Sequence, residues 1–273
     1  MSINSIILHA QARSFEQLRR EFLNASSNKV LVAAHRGAHL DAPENSLQAF
    51  QGAIDMGIDI IELDVRCTKD GQLVVIHDKT VDRTTNGKGA VDSLSFDQIR
   101  KLRLMFNGQL TGQLVPTLQE ALMLTRGKIL VDLDIKSVSC IDKIMQEVKA
   151  AGAASNCFFF VTKVDQVKML KQYDAGFSTL LRTTSEKAVK DALSAVKTEA
   201  IHIDTSHNEA TVISQIRSAG ARVWINALGE IDEKAAAGNV EVFERLLMNG
   251  ANIIQTDQPA LLKQYLKSIN RYW

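Results

Sequence analysis

Two acidic residues, Glu62 and Asp64, stand two positions apart within an apolar run of the sequence. In a β-strand this spacing puts both side chains on the same face. Neighbouring carboxylates repel each other and raise each other's pKa unless a cation lies between them. A hard divalent ion such as Mg²⁺ or Ca²⁺ suits an all-oxygen site of this kind, and Asp134 on a later run could be a third ligand. The alternative is that Arg36 and Lys136 neutralise the pair.

Two histidines, His35 and His77, follow apolar runs of the same kind. A histidine, whose ordinary pKa lies near neutrality, can take a proton from a nucleophile and return one to a leaving group. Arg36 and Lys136 would supply the fixed positive charge that a phosphoryl group needs in its transition state. Two acid–base groups, an anion-binding pair and a divalent ion together predict phosphodiester cleavage.

Short apolar runs, separated by segments with helical periodicity, recur along the chain and would position these residues. Several runs are continuous rather than alternating in hydrophobicity, which is typical of strands buried on both faces. The runs are Val30–Ala34, Ile58–Val65, Ile129–Ile135, Phe158–Val161, Thr179–Leu181, Ala200–Asp204, Arg222–Ile225 and Ile253–Gln255. They predict an α/β fold, a parallel (β/α)8 TIM barrel, whose active site lies at the C-terminal ends of the strands.

A further run, Leu73–Ile76, follows the second strand after a short segment that contains Asp70 and Gly71. Asp-Gly is a strong hairpin signal, and a parallel connection would need about a dozen residues or more. We therefore expect an antiparallel partner for the second strand. With Asp70 and Gly71 as the turn, the register places His77 opposite Asp64.

Residues 1–28 are predicted to form an N-terminal tail and a short helix. The helix is expected over Ser14–Asn24, where apolar residues recur at helical spacing and Ser14 and Gln17 form a capping box. Ser5–Ala12 ends in an A-x-A pattern, but its apolar stretch is shorter than the ~7–15 residues of a signal peptide. The sequence leaves two locations open: the cytoplasm, or the periplasm or exterior if this segment is the remnant of a longer precursor.

The barrel is predicted to occupy residues 29–273, with a small subdomain inserted over about residues 81–115. This insertion has little strand signal and would lie near the C-terminal ends of the strands. Within it, Ser95–Leu104 is expected to be a helix, because Ser95 and Gln98 form a second capping box.

The composition limits the partners that this chain could bind. Lys and Arg total 32 against 31 for Asp and Glu, so a general polyanion-binding surface, and with it nucleic acid, is not expected. No apolar run approaches the ~20 residues that span a bilayer. The cysteines Cys67, Cys140 and Cys157 form no C-x-x-C pair, which argues against a disulfide framework or a zinc site and favours buried thiols. A small-molecule substrate is predicted, and the oligomeric state is left open.

Short motifs of this chain resemble those of the glycerophosphodiester phosphodiesterase family, in the family's order. The first group is Ala34-His35-Arg36-Gly37, Pro43-Glu44-Asn45-Ser46, Ile61-Glu62-Leu63-Asp64-Val65, Val75-Ile76-His77-Asp78 and Arg83-Thr84-Thr85-Asn86-Gly87. Weaker matches follow in Leu133-Asp134-Ile135-Lys136, Val223-Trp224-Ile225-Asn226 and Ile254-Gln255-Thr256-Asp257-Gln258-Pro259.

The resemblance implies a barrel of the phospholipase-C-like phosphodiesterase type. It also implies metal-dependent hydrolysis of glycerophosphodiesters to glycerol 3-phosphate and an alcohol, with one divalent cation as the cofactor. The family's functional positions correspond here to His35 and His77 as the acid–base pair, Arg36 and Lys136 at the phosphate, and Glu62, Asp64 and Asp134 at the metal.

This chain departs from the family at Asp134, where Glu is usual. The shorter side chain could reach the ion through a water molecule, the strand could shift, or Asp132 on the same face could compensate. Two other functions stay open. A lysophospholipid phosphodiesterase would need an apolar channel, which the insertion could offer through Leu102, Leu104, Met105 and Phe106. A non-catalytic barrel would bind a phosphodiester without turnover.

Other polar and aromatic residues have two interpretations each. Trp224 could line the pocket for the glycerol or the alcohol, or belong to the core. Glu44 and Asn45 could orient the phosphate-binding arginine and the metal site, or cap a helix. His202 and His207 are expected to have structural or surface roles.

Overall fold

A closed ring of parallel strands lies at the centre of the protein, a computed structural model that describes residues 13–273. The strands of this part of the chain are β1 (Leu31–Ala34), β2 (Ile60–Cys67), β3 (Leu73–Val75), β4 (Arg103–Phe106), β5 (Gln109–Leu114), β6 (Leu130–Ile135), β7 (Cys157–Val161), β8 (Ser178–Arg182), β9 (Ala200–His202), β10 (Arg222–Asn226) and β11 (Ile253–Thr256). The ring runs β1-β11-β10-β9-β8-β7-β6-β2, and β2 pairs with β1 to close it. The predicted barrel of eight parallel strands is therefore confirmed.

Residues 13–273 contain eleven α-helices, most of which connect strands of the ring and cover its outer face. They are α1 (Phe15–Phe22), α2 (Leu47–Asp55), α3 (Phe96–Ile99), α4 (Leu118–Thr125), α5 (Ile141–Ala150), α6 (Val164–Tyr173), α7 (Glu186–Ala195), α8 (Ala210–Ser218), α9 (Glu230–Ala236), α10 (Glu244–Leu247) and α11 (Pro259–Ser268). Across residues 13–273, no helix has both the length and the apolar character that a bilayer span requires.

Strand alternation sorts the apolar side chains into two cores. Those that face outward pack beneath the helices. Those that face inward, Ile60 and Phe158 among them, fill the N-terminal half of the barrel. Phe22 of α1 stacks on Phe158 with ring centroids 4.9 Å apart, so α1 closes this end. The helix begins with the predicted capping box of Ser14 and Gln17. Most of the predicted tail, with its A-x-A pattern, lies outside the described residues.

The hairpin of β2 and β3 is antiparallel, as predicted, but its predicted register is wrong by one residue. The amide of Ile76, and not that of His77, donates to the carbonyl of Asp64 at 2.9 Å. Gly71 adopts a left-handed φ of 73°, which makes the loop one residue longer than a two-residue turn. Because β3 ends at Val75, His77 lies in the following loop, and strand alternation does not set its direction.

The segment between β3 and α4 has its own small apolar core, in which Val81, Ile99 and Leu104 are buried. The predicted helix keeps its capping box but ends at Ile99, so the expectation that it reaches Leu104 is wrong. The chain instead enters the hairpin of β4 and β5. Asn107 and Gly108 form its turn with φ values of 49° and 75°, and this Asn-Gly signal in the sequence was overlooked. The boundaries of the inserted subdomain stay a prediction.

Two of the cysteines are joined, which corrects the expectation of buried thiols. Cys67 ends β2, and Cys140 follows the neighbouring strand β6; the two form a disulfide with Cα atoms 6.5 Å apart. This separation lies in the usual range for a disulfide. Strand neighbourhood, rather than sequence spacing, brings the two residues together. Within residues 13–273, Cys157 is a buried free thiol.

Candidate active site

Two histidines at the C-terminal end of the barrel each donate Nδ1–H to a carboxylate. His35 follows β1, and its Nδ1 lies 2.7 Å from Oδ1 of Asp257. His77 follows β3, and its Nδ1 lies 2.7 Å from Oδ1 of Asp78. In both rings Nε2 is therefore the nitrogen left for proton transfer. Nε2 of His35 is directed at the neighbouring acidic residues and lies 4.0 Å from Oε2 of Glu62.

Further hydrogen bonds hold both aspartates. Burial acts to raise the pKa of Asp257, but hydrogen bonds from His35 and His39 outweigh it and hold that pKa well below its usual range. Arg83 donates to Asp78 at 2.7 Å and is the main cause of the strongly lowered pKa of that carboxyl. Both aspartates therefore remain ionised and fix the orientation of their imidazole rings.

Three carboxylates form a compact group beside the histidines. Glu62 and Asp64 lie on the inner face of β2, and Asp134 on β6 is the register partner of Asp64. One oxygen from each lies within 4.8 Å of the other two. Burial, together with the charge of Asp64, raises the pKa of Glu62 well above its ordinary value. Burial is also the main cause that raises the pKa of Asp134, and Asp64 adds to it.

Cationic side chains neutralise this group only in part. Nζ of Lys136 lies 2.6 Å from Asp134 and 3.1 Å from Asp64, while Nε of Arg36 lies 3.5 Å from Asp64. Oδ1 of Asp64 is buried; among residues 13–273 it makes the ion pair with Lys136 but no hydrogen bond. An all-oxygen group with a poorly satisfied buried carboxylate fits a hard divalent cation. The alternative of ion pairs without a metal accounts for these contacts, but it sets two cationic side chains against three carboxylates.

Glu44 and Asn45 contact the site rather than cap a helix. Asn45 Nδ2 donates to Asp64 Oδ2 at 2.7 Å, and the Asp64 amide donates back to Asn45 Oδ1 at 3.2 Å. Glu44 accepts from Arg36 at 2.7 Å and from Arg83 at 2.6 Å. The cap of α2 is Ser46, whose hydroxyl accepts an amide hydrogen bond. Of the two interpretations from the sequence, the one that orients the arginine and the acidic group holds.

A tight turn after β1 brings the main chain of Arg36 to the site. Arg36 has a left-handed φ of 53°, and its amide donates to Oε2 of Glu62 at 2.9 Å. Gly37 follows with φ 83°, and a Cβ there would lie 2.9 Å from the main chain of Ala49. Only glycine permits this approach of the turn to α2.

One cavity of about 370 Å³ brings most of the predicted site residues together. Those that line it are His35, Arg36, Glu62, His77, Asp134, Lys136 and Trp224. Asp64 is fully buried beneath its wall and reaches the site through the carboxylate group. Trp224 is 1% exposed, and its indole N–H donates to Asn226 at 2.9 Å, so it contributes an apolar surface and no free donor.

Sequence reasoning missed the roles of three residues at this site. Asp257 stands in one of the motifs but was given no role, and only the fold brings it to His35. Arg182 and His202 also line the cavity, although His202 was expected to be structural or on the surface. A signal was available for both, because each stands at the end of a strand among inward-facing positions.

A second cavity of about 530 Å³ adjoins the site. It lies between the loop after β1 and the β3–α4 segment, and Glu44 and Arg83 form part of its wall. Met105 and Phe106 line it, whereas Leu104 is buried in the small core. We refer to it as the groove.

Comparison with known proteins agrees with the resemblance drawn from the motifs. A glycerophosphodiester phosphodiesterase of Caldanaerobacter subterraneus is 50% identical over 112 residues, which are 40% of this chain and 46% of that protein. The aligned part thus spans less than half the length of this curated relative.

Solved structures match over a larger share of the chain. A glycerophosphoryl diester phosphodiesterase from Parabacteroides distasonis superposes with a TM-score of 0.81 over 95% of this chain and 93% of that one, at 23% identity. A glycerophosphodiester phosphodiesterase from Agrobacterium tumefaciens gives a TM-score of 0.71 over 85% and 98%, at 28% identity. The model of the glycerophosphoryl diester phosphodiesterase family matches residues 35–260. Since this match covers most of the chain, the protein belongs to the glycerophosphoryl diester phosphodiesterase family.

Proposed function

We propose that this chain hydrolyses glycerophosphodiesters to glycerol 3-phosphate and an alcohol, with the help of one divalent cation. The observation that carries the proposal is the pair of carboxylate-held histidines that face one acidic group in a single cavity. Acid–base groups, an anion-binding pair and a cation site in one place are the components that phosphodiester hydrolysis requires.

His35 and His77 act as the general base and the general acid. Each ring keeps its proton on Nδ1, so Nε2 accepts a proton from the attacking hydroxyl or donates one to the departing alkoxide. The bond that breaks joins phosphorus to the oxygen of the alcohol, and the bond that forms joins phosphorus to the attacking oxygen. One imidazole therefore gains the proton that the other loses.

Arg36 and Lys136 bind the phosphate. Their ion pairs with Glu44, Asp64 and Asp134 hold both side chains at the mouth of the cavity before substrate arrives. Preorganised positive charge stabilises the transition state because it needs no rearrangement at the moment of reaction. Trp224 would form an apolar wall for the carbon skeleton of the substrate.

Glu62, Asp64 and Asp134 hold the cation. The Asp134 oxygen lies within 4.8 Å of the other two, so this aspartate reaches the group despite its shorter side chain. When bound, a divalent ion such as Mg²⁺ or Ca²⁺ supplies Lewis-acid stabilisation of charge on the phosphoryl oxygens. Lys136 would then share its two carboxylates with the ion.

Two routes use the same residues. In one, the glycerol 2-hydroxyl attacks phosphorus, and water later opens a cyclic phosphate. In the other, water attacks directly. A substrate that lacks the 2-hydroxyl, assayed in ¹⁸O-labelled water, separates the routes: full activity with one labelled oxygen in the phosphate excludes the internal route, and complete loss excludes direct attack.

The first experiment measures release of glycerol 3-phosphate from glycerophosphocholine and glycerophosphoethanolamine with Mg²⁺, with Ca²⁺ and with EDTA. We expect release that depends on the metal and is lost in His35→Ala. His207→Gln, which changes a buried histidine outside the cavity, is the matched control. Release that survives in His35→Ala contradicts the acid–base assignment, and no release under any ion contradicts the proposed reaction.

A lysophospholipid substrate is the second candidate. Met105 and Phe106 line the groove together with His39 and Arg83. Leu40 adds an apolar side chain that is 51% exposed. An acyl chain could occupy this groove with the phosphate in the catalytic cavity. Comparison of lysophosphatidylcholine with glycerophosphocholine decides between the candidates, since a strong preference for the former favours the lipid.

A further inference from the structure

A third histidine, His39, which the proposed chemistry does not use, meets the pair of His35 and Asp257. Nδ1 of His35 lies 2.7 Å from Oδ1 of Asp257, and Nε2 of His39 lies 2.9 Å from the same oxygen. One ligand atom from each of the three residues lies within 4.8 Å of the other two. His35 lines the catalytic cavity and His39 lines the groove, so this cluster is accessible from both. Two imidazole nitrogens and a carboxylate oxygen are thus directed at one small volume.

The charges at this cluster favour a cation. Within residues 13–273, every ion pair of Asp257 is with one of the two histidines. No lysine or arginine of this part of the chain therefore competes with a metal ion for the carboxylate. The acidic group on β2 and β6 differs in this respect, because Lys136 and Arg36 lie beside it. The negative charge of Asp257 is shared by two imidazole N–H groups alone.

The neighbouring main chain holds the cluster in place. The amide of His35 donates to the carbonyl of Thr256 at 3.1 Å. The amide of Asp257 donates to Oδ2 of Asp232 at 2.7 Å, and Asp232 is itself buried. Ligands that are already positioned lose little conformational freedom when an ion binds, which favours binding.

The donor types of the cluster select the class of metal. Mg²⁺ and Ca²⁺ prefer oxygen ligands, whereas imidazole nitrogen suits Zn²⁺ and similar transition-metal ions. Two imidazoles and one carboxylate, with a fourth position left for water, are a usual donor set for an accessible Zn²⁺. At Zn–N and Zn–O distances of about 2 Å, ligand atoms of a tetrahedral ion lie roughly 3.3 Å apart. The three side chains, which are 16%, 23% and 32% exposed, would therefore separate by about half an ångström.

We propose that His35, His39 and Asp257 bind Zn²⁺ and that this ion inhibits hydrolysis. Nδ1 of His35 binds the ion through its lone pair, and the proton of Nδ1 moves to Nε2 of the same ring. Nε2 then cannot accept a proton from the attacking hydroxyl, so the enzyme is inactive until the ion leaves. Nε2 is directed at the acidic group, 4.0 Å from Glu62, so the two metal sites lie on opposite edges of the ring. The inhibition rests on the proposed function, whereas the binding of Zn²⁺ does not.

The first test measures binding. The protein is titrated with Zn²⁺ by calorimetry, and with Co²⁺ by visible absorption, in excess Mg²⁺, which occupies the acidic group. We expect one equivalent of Zn²⁺ to bind, and Co²⁺ to give the strong absorption bands of a four-coordinate ion instead of the weak bands of a six-coordinate one.

His39→Gln separates metal binding from the positioning of Asp257. The amide N–H of glutamine keeps a hydrogen-bond donor for the carboxylate, but its carbonyl oxygen is a poor ligand for Zn²⁺. We expect this variant to bind Zn²⁺ at least about tenfold more weakly and to lose the four-coordinate Co²⁺ spectrum. The matched control His207→Gln removes a buried histidine outside the cavity and should keep both properties.

The second test measures inhibition. Release of glycerol 3-phosphate from glycerophosphocholine is followed with increasing Zn²⁺ at saturating Mg²⁺, and each protein is compared with its own rate without Zn²⁺. The Zn²⁺ concentration for half inhibition should rise at least about tenfold in His39→Gln and stay unchanged in His207→Gln. EDTA followed by excess Mg²⁺ should restore the wild-type rate.

Three results would overturn the inference. A wild-type protein that binds no Zn²⁺ in excess Mg²⁺, or that gives only a six-coordinate Co²⁺ spectrum, does not have this site. Equal Zn²⁺ affinity in the wild type and in His39→Gln assigns the ion to other residues. Binding that leaves the rate unchanged contradicts the inhibition. Absence of hydrolysis without Zn²⁺ contradicts the proposed function instead, and the binding test still decides on the site. If His39→Gln does not fold, His39→Asn provides the same comparison.

Discussion

The two halves of the barrel interior are built from the same strands but follow opposite physical rules. On β6, Leu130 faces into the N-terminal half, and Asp132 and Asp134 face into the C-terminal half. On β9, Ala200 and His202 divide in the same way. Burial stabilises the apolar half at about 25 cal/mol per Å² of apolar surface. In the other half, the same burial disfavours the charged forms of carboxylates and imidazoles.

The difference shows that the pKa shifts of the site arise in the C-terminal half of the barrel. Burial raises the pKa of Glu62 and of Asp132, and neighbouring carboxylates raise both further. Around this group, the aspartates that hold the histidines have strongly lowered pKa values. The apolar half supplies the stability that permits such an arrangement. Mutations in the two halves should therefore separate stability from activity.

The largest expected effect is on rate. His77→Ala removes one acid–base group from a side chain that is 35% exposed, so kcat for glycerophosphocholine should fall about 10²–10⁴-fold while Tm stays close to that of the wild type. Steady-state kinetics and thermal unfolding are measured on the same preparation. A large drop in Tm would show that His77 contributes to packing. A rate loss below tenfold would contradict its role as an acid–base group.

Phe158→Ala tests the other half. Phe158 is fully buried between Phe22 and Trp224, and its truncation should destabilise the protein by about 3–5 kcal/mol in urea unfolding. At a temperature well below Tm, kcat should stay near the wild-type value. Phe160→Ala, two residues along β7 and in the cavity, is the matched control: it should cost less stability and more activity. The reverse pattern would contradict the division of the barrel.

The decrease in the free energy of unfolding at acid pH should depend on His202. Its folded pKa is about 3, against about 6.5 in an unfolded chain, so below pH 6.5 the unfolded chain binds a proton that the folded chain does not. Stability therefore falls as the pH decreases, by about 2 kcal/mol at pH 5. Urea unfolding at pH 7 and pH 5 should show this loss in the wild type and a smaller one in His202→Gln. Equal losses in the two proteins would contradict a neutral buried ring.

The smallest effect is expected at the rim. Arg83 is 50% exposed and bridges Glu44 and Asp78. Because exposed ion pairs contribute little, Arg83→Gln should change the free energy of unfolding by about 1 kcal/mol or less. Its rate loss should be smaller than that of His77→Ala, since Asp78 keeps its hydrogen bond to the imidazole. A rate loss as large as that of His77→Ala would indicate that Arg83 contacts the substrate directly.

Much of this protein follows from its sequence, because its local patterns agree with one another. Continuous apolar runs indicate the eight barrel strands, and the motifs after those runs indicate the side chains at the barrel mouth. The capping boxes at Ser14 and Ser95 are also local, and both form. The length of α3, which begins after Ser95, does not follow from the local sequence: the helix ends at Ile99 because the chain continues into the pairing of β4 with β5.

Tertiary structure alone decided the contacts between residues that are distant in the chain. Asp257 reaches His35 across 222 positions because β1 and β11 are neighbours in the ring. Cys67 and Cys140 meet because β2 and β6 are neighbours.

The remaining surprises have the same origin. The pairing register of β2 with β3 differs by one residue from the prediction, because the left-handed Gly71 belongs to a longer loop than a two-residue turn. His202 lines the cavity because, in a closed ring, the inward-facing residues at the C-terminal ends of the strands surround one central space. Residue types and spacing determined which chemistry this chain could perform. Ring closure determined which groups meet to perform it, since strand pairing depends on interactions that no short segment contains.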